Sequence, residues 1–179
     1  NIDKFIWKLK KIEIYSENLK NKKILNFENN KDQLFSIIKN HDIYKILNNS
    51  LSKSKYYNKI QNEIRSKKLN KYHLIINTDY KSIFTKKYFS RKIKKTYNSR
   101  AYTTILDHEK VSNDVAVQIF TKLGPLAFLP ISKSKTSLVY SINNTKNINR
   151  EKIINLINKH NFKYKIKKIA KIENFDLKS

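Results

Sequence analysis

Near the start of the chain two short stretches alternate apolar and polar residues, Ile12-Glu13-Ile14-Tyr15 and Lys23-Ile24-Leu25-Asn26-Phe27, with the polar run Ser16 to Lys22 between them. A period of two puts every second side chain on one face, so the pattern predicts two strands and a turn. From Asn40 the spacing lengthens. Ile43, Ile46, Leu47 and Leu51 recur at three and four residues behind Asn40 as a cap, which predicts an amphipathic helix of about three turns. Ser52 to Lys71, rich in Lys, Asn and Ser, has the composition of a poorly packed connection. Tyr72-His73-Leu74-Ile75-Ile76-Asn77 then reads as a short buried strand ending in Thr78-Asp79.

A basic run follows, densest at Arg91-Lys92-Ile93-Lys94-Lys95, and after it four strand-like segments arrive in quick succession: Ala101 to His108, Val115 to Thr121, Leu126 to Ile131 and Thr136 to Ile142. Such regular spacing predicts an antiparallel meander. Ile153, Ile154, Leu156 and Ile157 supply the apolar face of a helix at Arg150 to His160, and a last alternating run covers Ile169 to Phe175. The pattern as a whole predicts an α+β fold: a mixed, largely antiparallel sheet of five to seven strands with a few helices.

Composition narrows the chemistry. With 39% hydrophobic and 12% aromatic residues in 179, the chain can form a real core of about one domain. It has no Cys, which excludes a disulfide framework, a thiolate metal site and a cysteine nucleophile. A single Gly excludes a glycine-rich dinucleotide fingerprint and a P-loop. His41, His73, His108 and His160 are scattered without the i, i+4 spacing of a helical metal site. No apolar run approaches the roughly 18 to 20 residues of a membrane span, and no signal-peptide core opens the chain. The sequence therefore reads as soluble, or at most peripheral to a membrane. Asn1 is neither Met nor a residue exposed by normal Met removal, so the chain also reads as a fragment.

The charge changes the picture less than its size implies. Lys and Arg number 39 against 14 Asp and Glu, a net +25. Yet 35 Lys, 23 Asn and 26 Ile are residues of A- and T-rich codons, and only four Arg are present. A nucleic-acid binder draws on Arg for bidentate phosphate and guanine contacts. A Lys-rich surface still attracts RNA, DNA or anionic lipid at low salt.

The most distinctive segment is Gln118-Ile119-Phe120-Thr121-Lys122-Leu123-Gly124-Pro125-Leu126-Ala127-Phe128-Leu129-Pro130, followed by Thr136-Ser137-Leu138-Val139-Tyr140-Ser141. It resembles the central region of the FAD-dependent aromatic-ring hydroxylases of ubiquinone biosynthesis, a branch of the p-hydroxybenzoate hydroxylase-like flavoprotein monooxygenases. Those proteins carry an F-x-x-x-G-P-L-A-x-L-P strand and then an S-x-V-W strand; Tyr140 stands here in place of the Trp. Upstream, Ser36-Ile37-Ile38-Lys39-Asn40-His41-Asp42-Ile43 with Leu47 resembles the family's Y-x-V-x-N-R-x-L-x-x-x-L helix start, with His41 at the position of an Arg that approaches the flavin. Leu74 to Ser82 resembles the L-x-I-x-A-D-G-x-x-S segment beside the cofactor, keeping Asp79 but with Tyr80 for the Gly. Ala170 to Leu177 resembles the strand before the family's second flavin motif.

The resemblance covers most of Ile6 to Leu177 and implies the substrate-domain half of a flavoprotein monooxygenase fold. It implies a substrate-binding sheet domain from residues 1–35 and 98–179, with 36–97 a partial segment of the FAD-binding domain. The implied activity is hydroxylation of a prenylated phenol with O2, an electron donor and FAD, a cofactor that carries the difficult step itself. Asn40, His41 and Asp79 are the implied cofactor contacts; Gly124, Pro125, Leu126, Phe128 and Pro130 are the implied substrate contacts. No catalytic side chain or metal ligand is implied.

Each of these residues also has a plain structural reading: Gly124-Pro125 as a turn, Leu126, Phe128 and Pro130 as one face of a core strand, His41 as solvent-facing, Asp79 as a turn cap. Implied partners are the inner-membrane surface, approached peripherally from the cytoplasm through anionic lipid, and the subunits of a ubiquinone-biosynthesis complex. Two rival classes stand beside the hydroxylase: a small basic nucleic-acid-binding module, with Tyr88, Phe89 and Tyr97 interleaved in the basic run, and a non-catalytic pseudoenzyme.

Overall fold

The computed structural model describes residues 2–20, 22–29, 33–60, 72–89, 91, 95–143 and 148–178. Their strands are β1 Ile6–Leu9, β2 Lys11–Ser16, β3 Lys22–Glu28, β4 Phe35–Ile38, β5 Thr96–His108, β6 Val115–Thr121, β7 Gly124–Ser132, β8 Lys135–Ile142, β9 Ile166–Ile169 and β10 Glu173–Lys178. The helices are α1 Asn40–Leu51, α2 Ile83–Tyr88 and α3 Arg150–His160. The fold is α+β, with a mixed sheet of eight strands, one more than the upper end of the expected range. Along it the order is β10-β5-β8-β7-β6-β2-β3, with β9 also on β5, and β1 and β4 form a separate two-stranded ribbon. Only the β2–β6 pair is parallel among these ladders.

The two strands expected at Ile12 and Lys23 pair as β2 and β3, with a 3-10 turn between them. The expected meander is only partly present. β6, β7 and β8 run as one, but β5 pairs with β8, and the free side of β6 takes β2 instead. The cause lies in the loop after β5. Asn113 is buried there and its Nδ2 donates to Ser132 O at 2.8 Å and Thr136 Oγ1 at 3.1 Å, which carries the chain across the ends of β7 and β8 before β6 begins. The run Ile169 to Phe175 is two strands rather than one. Thr104 Oγ1 donates to Ala170 O and Ala170 N donates to Ile105 O, pinning the break between β9 and β10 along the 13-residue β5.

Gly124-Pro125 lies inside β7 rather than in the turn, which falls at Lys122 and Leu123. Both prolines are placed where one ladder has stopped: Pro125 one residue before the β7–β8 pairs begin, Pro130 two residues beyond the last β6–β7 pair. A missing N–H costs no ladder bond there. Gly124 is required on two counts: φ is +138°, and a Cβ would lie 2.2 Å from Ser141 O.

Tyr72 to Asn77 is not a strand. Leu74 and Ile76 are 77% and 79% exposed, and no strand flanks the run among the described residues. A continuous apolar run suits a strand covered on both faces, and without neighbours its backbone has nothing to pair with. α1 forms where its periodicity placed it, with Lys39 rather than Asn40 at the cap position and no side-chain capping bond, but buries no residue; Leu47 and Leu51 stay exposed. The connection expected at Ser52 to Lys71 is exposed as far as residue 60; 61–71 lie outside the described residues.

The core lies between one sheet face and α3. Tyr102, Leu106, Val117, Ile119, Leu126, Phe128, Leu138, Tyr140 and Ile142 meet Ile153 and Ile157 of α3, and Tyr164 just after it. Asn149 caps α3, its side chain accepting from Lys152 N at 3.0 Å, and satisfies a first-turn donor that has no partner within the helix.

Candidate functional site

Alternation gives each strand of the sheet two faces, and the register shows which residues share them. One face is the core. Crossing the sheet on the opposite face, a single row reads Ile14, Gln118, Ala127, Val139 and Thr103, each paired with the next. Neighbouring rows add Ile12, Ala116, Phe120, Pro125, Leu129, Ser137, Ser141, Ala101 and Ile105. None of these is charged, in a chain where 30% of residues are. Most are half-buried, Ala101 and Ala116 are buried, and Phe120 and Ile105 are exposed. Five strands at about 4.8 Å spacing make a face roughly 19 Å wide. Charge returns only at its rims, as the Asp107–Lys135 pair at one end and Glu173 on β10 at one edge.

The five expected substrate contacts fall on both sides. Leu126, Phe128 and Pro130 are on the core face and buried, and Gly124 sits against the Ser141 backbone. Pro125 alone is on the open face, paired with Phe120. The open-face residues of the same strand are Ala127 and Leu129, and the signal for them was present: they are the alternate set to Leu126, Phe128 and Pro130. Gln118 and Val139 follow only from strand pairing, which the sequence does not display. Tyr140 points to the core, where its hydroxyl donates to Thr121 Oγ1 at 2.8 Å while Thr121 Oγ1 donates to Gly124 O at 2.7 Å. Burial pushes the Tyr140 hydroxyl up.

The three expected cofactor contacts do not line one cavity among the described residues. Asn40 and His41 are exposed at the first turn of α1. Asp79 caps a turn: its Oδ1 accepts from Lys81 N at 2.9 Å and its carbonyl from Thr85 Oγ1 at 2.7 Å. The nearby hollow of about 350 Å³ is lined by Ile75, Asn77, Phe84, Tyr88 and Phe89. These residues do not by themselves make a cradle for FAD, whose phosphates need several convergent N–H donors or cations. In the basic run Arg91 and Lys95 are exposed, and Lys92 to Lys94 lie outside the described residues. Tyr88, Phe89 and Tyr97 are exposed, with Lys87 over the Tyr88 ring and Lys95 over Tyr97.

Two polar groupings belong to the scaffold. His108 and Thr136 are buried with Asn113: His108 Nδ1 lies 2.8 Å from Glu109 O, which can only accept, so Nδ1 carries the proton and Nε2 accepts from Thr136 Oγ1 at 3.0 Å. Tyr164 OH closes the set on Asn113 Oδ1 at 2.8 Å. On the far side of α3, Glu17 joins three elements, accepting from Lys122 N and Lys159 Nζ, both at 2.8 Å. His160 beside it is buried with Nδ1 unpartnered, and burial lowers its ring pKa, Lys159 adding to and Glu17 opposing the effect.

No group of three or more His, Cys, Asp or Glu is arranged to hold a metal among the described residues, and none of their helices is long and apolar enough to cross a membrane. Compared with known proteins, the chain matches no family model and no curated protein.

Proposed function

We propose that this chain supplies the substrate-holding sheet of an FAD-dependent aromatic-ring monooxygenase that hydroxylates a prenylated phenol in ubiquinone biosynthesis. The observation that carries the reading is the uncharged open face, centred on the strand whose Gly124-Pro125-Leu126-Ala127-Phe128-Leu129-Pro130 segment resembles that family. In such a reaction one oxygen atom of O2 enters the ring and the other leaves as water, with two electrons from a donor such as a reduced nicotinamide. Bound flavin supplies the oxygen chemistry. The sheet's part is to hold the ring flat, and to keep water away from it, with Ala127, Leu129, Val139 and Phe120. The described residues offer the flavin only His41, Asn40 and the Asp79 turn, so its phosphates would be held by other segments. In this reading the Lys-rich exterior docks peripherally on the anionic inner-membrane surface, where prenylated substrates and partner subunits reside.

The test is the visible spectrum of the full-length protein that contains this sequence. A flavin spectrum bleached by a reductant, with hydroxylated product formed from a prenylated phenol, is the expected result. A colourless folded protein that takes up no FAD overturns the reading.

A further inference from the structure

We infer that the hollow beside α2 is a binding site for a single-chain anionic amphiphile, a hydrocarbon chain that ends in one negative group. The inference goes beyond the hydroxylase reading and does not depend on it.

The hollow is built, although no strand supports it. Residues 75–77 have no ladder partner, yet side chains tie them to the helix that follows. Asn77 Nδ2 donates to Thr85 Oγ1 at 2.7 Å, its Oδ1 accepts from Ser82 Oγ at 3.0 Å, and Thr85 Oγ1 donates in turn to Asp79 O at 2.7 Å. Ser82 Oγ also accepts from Thr85 N at 3.2 Å and so caps α2. This frame sets Ile75 and Asn77 around one hollow with Phe84, Tyr88 and Phe89. Phe84 and Tyr88, four residues apart, share a helix face. The volume of about 350 Å³ is at the small end of the roughly 300–1,000 Å³ of small-ligand sites.

The lining decides the body of the ligand. Ile75 and the rings of Phe84, Tyr88 and Phe89 are apolar, and the Asn77 amide is engaged by the frame. A nucleobase or a sugar would give up its hydrogen bonds to water there without replacement, which is unfavourable. A hydrocarbon chain meets no such cost. It also takes Ile75, Tyr88 and Phe89, 46%, 62% and 62% exposed, out of water.

The mouth decides the head. Lys87 Nζ lies 5.4 Å from the centre of the Tyr88 ring, so a cation stands beside the lining. From residue 72 to residue 91 the described residues carry Lys81, Lys86, Lys87 and Arg91 against one acid, Asp79, whose Oδ1 already accepts from Lys81 N at 2.9 Å. That balance attracts an anionic head and repels a cationic one. A hollow seats one chain, whereas a bilayer takes side chains that project from the surface.

The test uses straight-chain carboxylates from butanoate to tetradecanoate, each below micelle formation, with dodecanol as the uncharged comparison. Binding to the full-length protein is read by equilibrium dialysis at constant salt. Affinity is expected to rise about fourfold per added CH2 and to level off once the chain fills the hollow. Dodecanoate is expected to bind several-fold tighter than dodecanol. Ile75→Glu, which places a like charge in the lining, is expected to weaken dodecanoate by about tenfold or more. Lys87→Glu is exposed and outside the bonded frame, so it tests the head without disturbing the fold; the expected loss is about fivefold. An affinity that never levels off, that ignores both variants, or that is equal for dodecanol overturns the inference. A protein that sediments with anionic vesicles but binds no free carboxylate overturns it too, and assigns the patch to a bilayer. Flavin content does not enter the readout, so the hydroxylase reading stands or falls separately.

Discussion

Glu13 lies at the edge of the core among Lys11, Lys23 and Tyr15. Burial alone would raise its carboxyl, but hydrogen bonds from Lys23 at 2.6 Å and from the Tyr15 hydroxyl at 2.8 Å, with Lys11 beside them, hold it down to about 2. Burial and then Glu13 itself push the Tyr15 hydroxyl up to about 12. The folded carboxyl thus titrates below its ordinary 4.5. Its contribution to stability is complete above that pH and is lost as pH falls through 4.5 toward 2. After screening by solvent this amounts to about 1–2 kcal/mol. Glu13→Gln is expected to lower stability near neutral pH and to flatten the acid limb of the curve between pH 5 and pH 2, measured by urea unfolding at stepped pH. An unchanged acid limb in the variant would assign the pH dependence to other groups.

At the scale of elements, legibility follows how local the cause is. α3 is set by its own residues: Asn149 caps it, Ile153 and Ile157 fall on one side, and Arg150 to His160 were readable without knowing the sheet. β6 to β8 were readable because alternation and turn spacing suffice. What stayed hidden depends on distant partners. The crossing from β5 to β6 is fixed by Asn113 reaching Ser132 and Thr136, and the β9–β10 break by Thr104 reaching Ala170. β1 and β4 are four-residue strands that pair across 25 or more residues, too short to show a period. The open face was half legible: the alternate set in β7 could be read, but its continuation through Gln118 and Val139 needed the register. Because Ile157 is fully buried against the sheet, Ile157→Ala is expected to cost about 2–5 kcal/mol by thermal or urea unfolding. A loss below about 1 kcal/mol would mean that α3 is not the lid of this core.

For the molecule as a whole, the question is where a charge of +25 resides and what it leaves alone. Ion pairs such as Lys159–Glu17 and Arg100–Asp176 each contribute little at the surface, and 14 acidic residues cannot neutralise 39 basic ones. Net self-repulsion therefore opposes the compact state, and salt relieves it, since the screening length falls from about 30 Å at 0.01 M to about 8 Å at 0.15 M. Tm is expected to rise as NaCl is added over that range; a falling Tm would show that paired charges outweigh the excess. The open face predicts a contrasting response. Its central rows carry no charge, so affinity for a neutral phenol is expected to stay within about twofold over the same range, read by equilibrium dialysis. An affinity that drops steeply with salt would place the ligand on the Lys-rich exterior instead, because only contacts with charged groups release counterions and acquire that slope.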